Sequence, residues 1–553
     1  MINLHGLIKY PAPMVKHYSF AFLYYCTVIL ICTTCHQQST IYNIVDFGAK
    51  GNGQTVNTNT INKAIAACYQ HGGGTVLVPP GTYVSGTIVL LSNVSFHLEP
   101  GAILLGSKDT SDYLMLDDPL FEEGYNRYGM IYAADAQNIS ISGTGEINGN
   151  GTFFMNGIDK PHFGGNDFDR KFIRQGEEFM KPGTLFNDGP VSYPFRPGLL
   201  LTVERCENVH ISDILLKDSP EWTIRIGDCD GVNVRGITIR NNKLIPNSDG
   251  IHVTTSRNVC ISDCNIFAGD DAIIVTGFGN SPLPGSIHTD TVKLTTGNKT
   301  GISENVTVTN CILSSRSACI RVGYGNHPIR NLTFSNLIMY ESNRGIGVFA
   351  RDNSKIDNVL FSHIVIHNRL HSGHWWGKGE PIHLSAFRDT KDGIPGIINN
   401  IRFSDITATS ETGILIYGFE ESVIENILLE NVQLTINAGK YSDTYGGNFD
   451  LRPAYPLDYA IFKQDIPGLF AQYVKHLTVS GFELKWGPSL PSFFSHALEI
   501  NHFEDILLEN INGSPAPQAK GLATIKISDG RNATIRNCNT PFGNTLLKKE
   551  NVK

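Results

Sequence analysis

The chain has 553 residues, a formal net charge of −8 and 17% charged residues, which gives no electrostatic footing for nucleic acid or an anionic membrane surface. With 55 glycines, the profile suits a β-rich, turn-rich protein and excludes a helical bundle or a disordered chain. The length is that of two to four ordinary domains or of one long solenoid.

Lys9 and Lys16 precede a largely uncharged run from Tyr18 to Thr34, and a polar stretch begins at His36. A basic segment before a short apolar one is the signature of an export signal, and the run is short for a retained membrane span. Residues 1–35 are therefore expected to export the protein to the periplasm, the cell surface or the medium, with Met14 as an alternative start. Cys35 stands where a lipoprotein signal places its lipidated cysteine, whereas Thr33 and Thr34 are not the usual small residues. A lipid anchor and a cleaved secretory signal both stay open. Of the eleven cysteines, Cys26, Cys32 and Cys35 fall in this leader. The other eight contain no CxxC and no cysteine–histidine cluster at zinc spacing, which points to buried filler and to no metal site.

Ile61, Ala64, Ile65 and Cys68 recur at helical spacing, and His71-Gly72-Gly73-Gly74 ends the pattern, so a short amphipathic helix is expected there. A strand pair with a Pro-Pro-Gly turn follows. Such a helix suits the lid of a strand stack, because solenoids need polar caps. From residue 137 a repeat emerges: a polar pair, an aliphatic, a variable residue, an apolar residue and a turn. It reads QNISISG (137–143), ENVHISD (207–213), DGVNVRG (230–236) and RNVCISD (257–263), and runs on to RNATIRN (531–537), with neighbours often 23 to 27 residues apart.

That period with several short strands fits one coil of a parallel β-helix. The position after each unit is Ile214, Ile237, Cys264, Cys311, Leu337, Ile364, Ile406, Val432, Phe482, Ile511 or Cys538, with Thr144 the exception. These should stack as an interior ladder; Cys264 and Cys311 are read as its members, and a disulfide between them stays open. The expected fold is all-β: a single-stranded right-handed parallel β-helix over 41–545 with an N-terminal capping helix. Two stretches, 109–196 and 434–469, break the rhythm and are expected to wall a cleft.

Residues 246–277 carry the chemistry. Asp249 and Asp270 are 21 residues apart, a little under one coil, which sets them on successive coils about 4.8 Å apart. Asp271 follows at once, and adjacent strand residues point to opposite faces. Both can face a cleft only at a bend, which Gly269 would allow. Crowded carboxylates raise one another's proton affinity, the condition for a general acid beside a general base. One such Asp alone more often caps a turn, but here SDGI is followed a coil later by GDDAI.

These motifs resemble those of the polygalacturonase family, glycoside hydrolase family 28. The family's NTDGI-type motif stands as Asn247-Ser248-Asp249-Gly250-Ile251 and its GDDAI motif as 269–273; VDFGAKGNG, PPGTY, ISGTGEINGNG (141–151) and SPEWTIRI (219–226) are similar as well. The resemblance covers most of the chain after the leader. It implies a pectin-lyase-like solenoid and an inverting mechanism without cofactor. Asp270 would be the general acid, and Asp249 and Asp271 would position and deprotonate the attacking water, with Asn247 beside them.

Two departures stand out. Arg316 in SRSACI occupies the place of the family's histidine, and RGIGVF (344–349) replaces the Arg-Ile-Lys that would bind a substrate carboxylate. Arg316, Arg321, Arg344 and Arg351 are the candidate cations in its stead. His252 either stands near the site or is an ordinary strand histidine. In HSGHWWGKGEPIHLS (371–385), Trp375 and Trp376 suit stacking on sugar faces, Lys378 and Glu380 offer polar contacts, and Glu380 is a candidate for the missing histidine's work.

The expected protein is an exo-acting glycoside hydrolase on galacturonosyl linkages of polygalacturonan or rhamnogalacturonan, monomeric, with a polysaccharide or oligosaccharide as its partner and no nucleic acid. Three readings stay open beside it. One is the same machinery on another sugar such as a rhamnoside, and a second is a polysaccharide lyase, for which Arg316 would serve. The third is a glycan-binding solenoid in which the three aspartates could be replaced without consequence.

Overall fold

The repeat unit bends the chain because two of its positions adopt a left-handed backbone. The second residue is Asn138, Asn208, Asn258, Asn305, Asn331, Asn358, Asn400, Asn426 or Asn532 in nine of the coils, each with φ between 54° and 58°, and Gly231, His476 or Asp505 in three others, also at positive φ. The last is Asp213, Asp263, Asn310, Asn336, His363, Asp405 or Asn431, or a glycine such as Gly236, again with positive φ. Asn, Asp and Gly tolerate this region best. The asparagines also bond to one another along the stack: Asn208 Nδ2 donates to Asn138 Oδ1 at 2.8 Å and Asn358 Nδ2 to Asn331 Oδ1 at 2.8 Å.

The computed structural model describes residues 40–115, 129–156, 195–278, 300–351, 353–371, 375–388, 390–452 and 464–553, with isolated residues between them. The expected leader, 1–35, lies outside the described residues, as do 116–128 and 157–190 of the first insertion. From Ile41 to Lys553 the chain forms one compact unit. Strands of successive coils pair in parallel throughout its main sheet, and with the short connections between coils they wind a right-handed parallel β-helix.

The expected helix is α1 (Thr58–Gln70), which buries Ile61, Ala64, Ile65 and Cys68 and packs on the first strands of the stack. Gly73 N–H closes it on Cys68 O at 2.9 Å, with Gly72 and Gly73 at positive φ. The interior ladder stands as read: residues 214, 237, 264, 311, 337, 364, 406, 432, 482 and 511 are buried, and Cys538 is half-buried. Phe334, Phe361 and Phe403 stack inside it with ring centroids 4.9 Å apart at both steps. Cys264 and Cys311 occupy neighbouring rungs as free thiols, so the disulfide left open does not form.

The breaks in rhythm are narrower than the sequence implied. Strands Ile131–Ala134, Gln137–Gly143 and Glu146–Asn148 form part of a regular coil inside 109–196. Likewise the strand Ile424–Ile436 runs into the second insertion, and the strand Leu547–Val552 continues the solenoid beyond residue 545.

Candidate active site

Six consecutive rungs of one sheet face carry the site: β1 (Ile224–Gly227), β2 (Ile251–Thr254), β3 (Ile273–Gly277), β4 (Ala318–Gly325), β5 (Arg344–Ala350) and β6 (Glu380–Ala386). Their inward residues, such as Ile251, Val253, Ile273 and Val275, are buried in the core, so the alternate residues form the floor outside it. The three aspartates lie where the chain enters β2 and β3. Gly250 N–H donates to Asp271 O at 2.9 Å and Ile251 N–H to Ala272 O at 2.9 Å, so Asp249 is level with Asp271, and Asp270 sits one residue before it at the bend. Gly269 serves by its smallness, since a Cβ there would collide with Ser248 Oγ. Gly250 is equally constrained, its added Cβ falling against Ala272 O.

The three carboxylates have different surroundings. Asp249 is 3% exposed, and its Oδ1 has no hydrogen-bond partner among the described residues. Burial, then the charges of Asp270 and Asp271, drive its pKa well above the carboxylate range, with Arg321 opposing. Asp270 is partly exposed; burial and Asp271 push it to about 7 against the Ser317 hydroxyl and Arg321. Asp271 is held at both oxygens, by Ala318 N–H at 2.8 Å and by Arg321 Nε at 2.5 Å. Burial and their mutual charge thus favour the protonated form at Asp249 and Asp270.

The loop bearing Asp249 is stapled by Arg196. Its Nη1 donates to Pro220 O at 2.8 Å and to Pro246 O, while Nη2 donates to Glu221 Oε1 at 3.2 Å and to Asn247 Oδ1 at 3.1 Å. Asn247 is thus a hinge of this loop, with φ 53°. Glu221 is buried, and burial raises it to about 6 although Arg196 opposes.

His252 lies in the floor row that register defines as Arg225, His252, Ile274, Arg321, Gly347 and His383. It is 1% exposed, bonds Thr276 Oγ1 through Nε2 at 3.1 Å and packs its ring 3.9 Å from that of Trp222. Burial, then Arg321 and Arg225, hold its pKa well below the usual value, so it is a neutral element of the floor. Arg316 Nη1 donates to His371 Nδ1 at 2.8 Å, and His371 Nε2 lies 3.0 Å from Glu341 O. Where the family places a histidine, this chain pairs an arginine with a histidine from a later loop. At the lost Arg-Ile-Lys motif, Phe349 fills the space: its ring lies 2.5 Å from a Cβ built on Gly347. Arg321, on the adjoining rung, keeps a cation next to that place.

Five residues offered as cations or substrate contacts lie inside instead, among them Arg344, 2% exposed, with its Nε facing Glu380 Oε2 at 3.6 Å. Arg351 is 1% exposed and donates to Ala350 O, Ser385 O, Ser385 Oγ and Leu451 O. Trp375 and Lys378 are buried. Glu380 is fully buried against Arg344, His383 and the backbone of Lys378 and Asp450. Register puts Glu380 three rungs from Asp271, through Ala318 and Arg344, or about 14 Å, so it does not join the aspartates. Trp376 alone of the pair is partly exposed, with its N–H 3.5 Å from Ser317 Oγ.

Arg196, Glu221, Ser317, Tyr324 and His371 escaped the sequence reading. Glu221 was legible in SPEWTIRI, one coil before Asp249, and Ser317 in SRSACI, one coil after Asp271; Tyr324 lies near the end of β4, and Arg196 and His371 lie on loops whose folding the repeat does not specify. Among the described residues, no group of His, Cys, Asp and Glu side chains could hold a metal ion.

Residues 195–348 match the model of "Glycosyl hydrolases family 28", and residues 41–166 match "Rhamnogalacturonase A/epimerase, pectate lyase-like". A probable polygalacturonase of Vitis vinifera is 28% identical over 42% of this chain and 43% of its own. An exo-poly-alpha-D-galacturonosidase of Dickeya chrysanthemi is 27% identical over 44% of this chain and 43% of its own. The chain therefore spans less than half the length of these two relatives. In fold it is similar to an exopolygalacturonase of Thermotoga maritima, with TM-score 0.55 and 21% identity over 72% of this chain and 87% of that one. A family 28 exopolygalacturonase of Yersinia enterocolitica gives TM-score 0.56 and 18% identity over 86% and 79%. The matched segment 195–348 holds all three aspartates, and the resemblance to glycoside hydrolase family 28 drawn from SDGI and GDDAI is borne out.

Proposed function

We propose that this chain is a glycoside hydrolase that cleaves galacturonosyl linkages of pectin-type polysaccharides from chain ends, with inversion at the anomeric carbon. The observation that carries the reading is the set of three aspartates on adjoining coils, in which Asp270 is partly exposed and holds its proton to about 7. It would protonate the departing glycosidic oxygen, while Asp249 orients the water and Asp271, paired with Arg321, takes its proton. The relatives named polygalacturonase and exo-poly-alpha-D-galacturonosidase support galacturonan as the substrate. The basic and apolar leader supports export, with lipidation at Cys35 or cleavage nearby as its two outcomes, and the protein is proposed to act as a monomer.

The test is product analysis by mass and ultraviolet absorbance on polygalacturonan, rhamnogalacturonan and neutral glycans. Saturated galacturonate appearing first as monomer is expected. An unsaturated, ultraviolet-absorbing product would mean a lyase, and turnover of neutral glycans alone would move the substrate to another sugar.

A further inference from the structure

One short turn, 315–318, holds both aspartates of the GDDAI motif. Ser315 Oγ donates to Asp270 O at 2.6 Å, and Ser317 N–H donates to Ser315 Oγ at 2.8 Å. Ala318 N–H donates to Asp271 Oδ1 at 2.8 Å, and the Ser317 hydroxyl bonds the Asp270 side chain. Ser315 and Ser317 are 0% and 1% exposed, in surroundings where a hydrogen bond is electrostatically stronger than in water.

A serine hydroxyl has one proton to donate. Trp376 N–H approaches Ser317 Oγ at 3.5 Å and so uses the oxygen as an acceptor, which leaves the hydroxyl proton for the carboxyl of Asp270. Trp376 is itself held from behind. Asn343 Nδ2 donates to Trp376 O at 3.2 Å and to Gly377 O at 2.9 Å, and Gly377 N–H donates to Asp450 Oδ2 at 2.8 Å. Asp450 is paired in turn with Arg452 Nη2 at 2.7 Å. Ser317 is thus the point where an anchored loop meets the side chain of Asp270.

We propose that Ser317 is a positioning residue for Asp270: its hydroxyl, oriented by the loop of Trp376, aims the carboxyl and sets the pH above which that carboxyl has no proton to give. The proposal rests on the hydrolase reading for the use of that proton. It goes beyond that reading in naming the group that orients the acid. The charged groups facing Asp270 are Asp271 beside it, Asp249 on the coil before and Arg321 on the coil after. Burial and Asp271 raise its proton affinity, and Ser317 and Arg321 lower it. A donated hydrogen bond favours the ionised carboxylate, so without the hydroxyl the proton stays on to higher pH.

The experiment measures kcat and KM on polygalacturonate from pH 4 to pH 9 for wild type, Ser317→Ala, Ser317→Gly and Ser315→Ala. A general acid works while protonated, so activity falls on the alkaline side. Both Ser317 variants should move that fall upward by about one pH unit, the scale of a hydrogen bond to a charged group. They should also lower kcat by about 10-fold or more with KM little changed, because the carboxyl is no longer aimed. Ser315→Ala, whose hydroxyl serves the main chain of Asp270, should lower kcat without moving the fall. A second readout needs no substrate. In thermal denaturation over the same range, the Tm deficit of Ser317→Ala should widen as pH rises past about 7, where Asp270 ionises. In an Asp270→Asn background the deficit should keep one size.

An alkaline fall that stays in place in both Ser317 variants, an equal displacement in Ser315→Ala, or a Tm deficit of constant size with Asp270 present would overturn the assignment. The expected Tm pattern in a chain whose wild type leaves every glycan intact would instead overturn the hydrolase reading and leave Ser317 as the residue that holds Asp270.

Discussion

Replacing Asp270 by asparagine should make the protein more stable at neutral pH while removing its chemistry. Asp270 titrates near 7 in the fold against an ordinary value of 3.8, chiefly through burial and the charge of Asp271. Between those values the folded state binds more protons than the unfolded one, so stability falls as pH rises through the window from about 4 to 7. A shift of that size corresponds to about 4 kcal/mol if fully expressed, and to about 2–4 kcal/mol for a partly exposed group. An asparagine side chain carries no charge, so the variant is spared this loss, and Asp249 gains as well because Asp270 is one of the charges that raise it.

For a chain of 553 residues, the unfolding entropy is about 1.2 kcal/mol/K, so the gain at pH 8 amounts to roughly 2–3 °C in Tm. The assay is thermal denaturation of wild type and Asp270→Asn at intervals from pH 4 to pH 8. The two curves should meet near pH 4 and diverge upward, the variant melting higher. Parallel curves across that range would refute the assignment of a raised carboxyl to position 270.

Further perturbations test the scaffold around the site. Phe361→Ala removes the middle ring of the Phe334–Phe361–Phe403 stack and should destabilise the fold by about 3–5 kcal/mol, read as a lowered denaturant midpoint with the slope preserved. Gly250→Ala forces a Cβ against Ala272 O; the displaced Asp249 should lower kcat by about 100-fold or more, while circular dichroism stays that of a β-helix. Arg196→Met breaks the staple between Glu221, Asn247 and two carbonyls. Leaving Glu221 buried without its cation should cost about 3–5 kcal/mol at pH 8 and less below pH 6, where Glu221 takes up a proton.

The solenoid was legible because its signal repeats. Each coil needs a left-handed residue at the same two places and an apolar one just after, and Asn258, Asp263 and Cys264 announce this in the sequence as plainly as Asn331, Asn336 and Leu337. The aspartates were legible because SDGI and GDDAI sit on the regular rungs. Spacing alone did not show which of the adjacent pair is level with Asp249: it is Asp271, and Asp270 stands at the bend before it.

The loops were less legible, since a loop side chain is placed by partners distant in sequence. Trp375 and Trp376 look alike in GHWWGKG, but Asp450 and Arg452, more than seventy residues away, decide which one is buried. Arg351 and Glu380 read as free charges for the same reason, their partners lying in Ser385, Leu451 and Asp450.

The most direct test of the central proposal is to follow wild type and Asp270→Asn on polygalacturonate by proton NMR from the first minutes of reaction. Saturated galacturonic acid should be released by the wild type alone, appearing first as the β anomer before mutarotation, since inversion of an α linkage leaves water on the opposite face. Release of the α anomer first would contradict inversion. Equal turnover by Asp270→Asn would contradict the assignment of Asp270 as the acid, and with it the account of why three carboxylates are gathered on these coils.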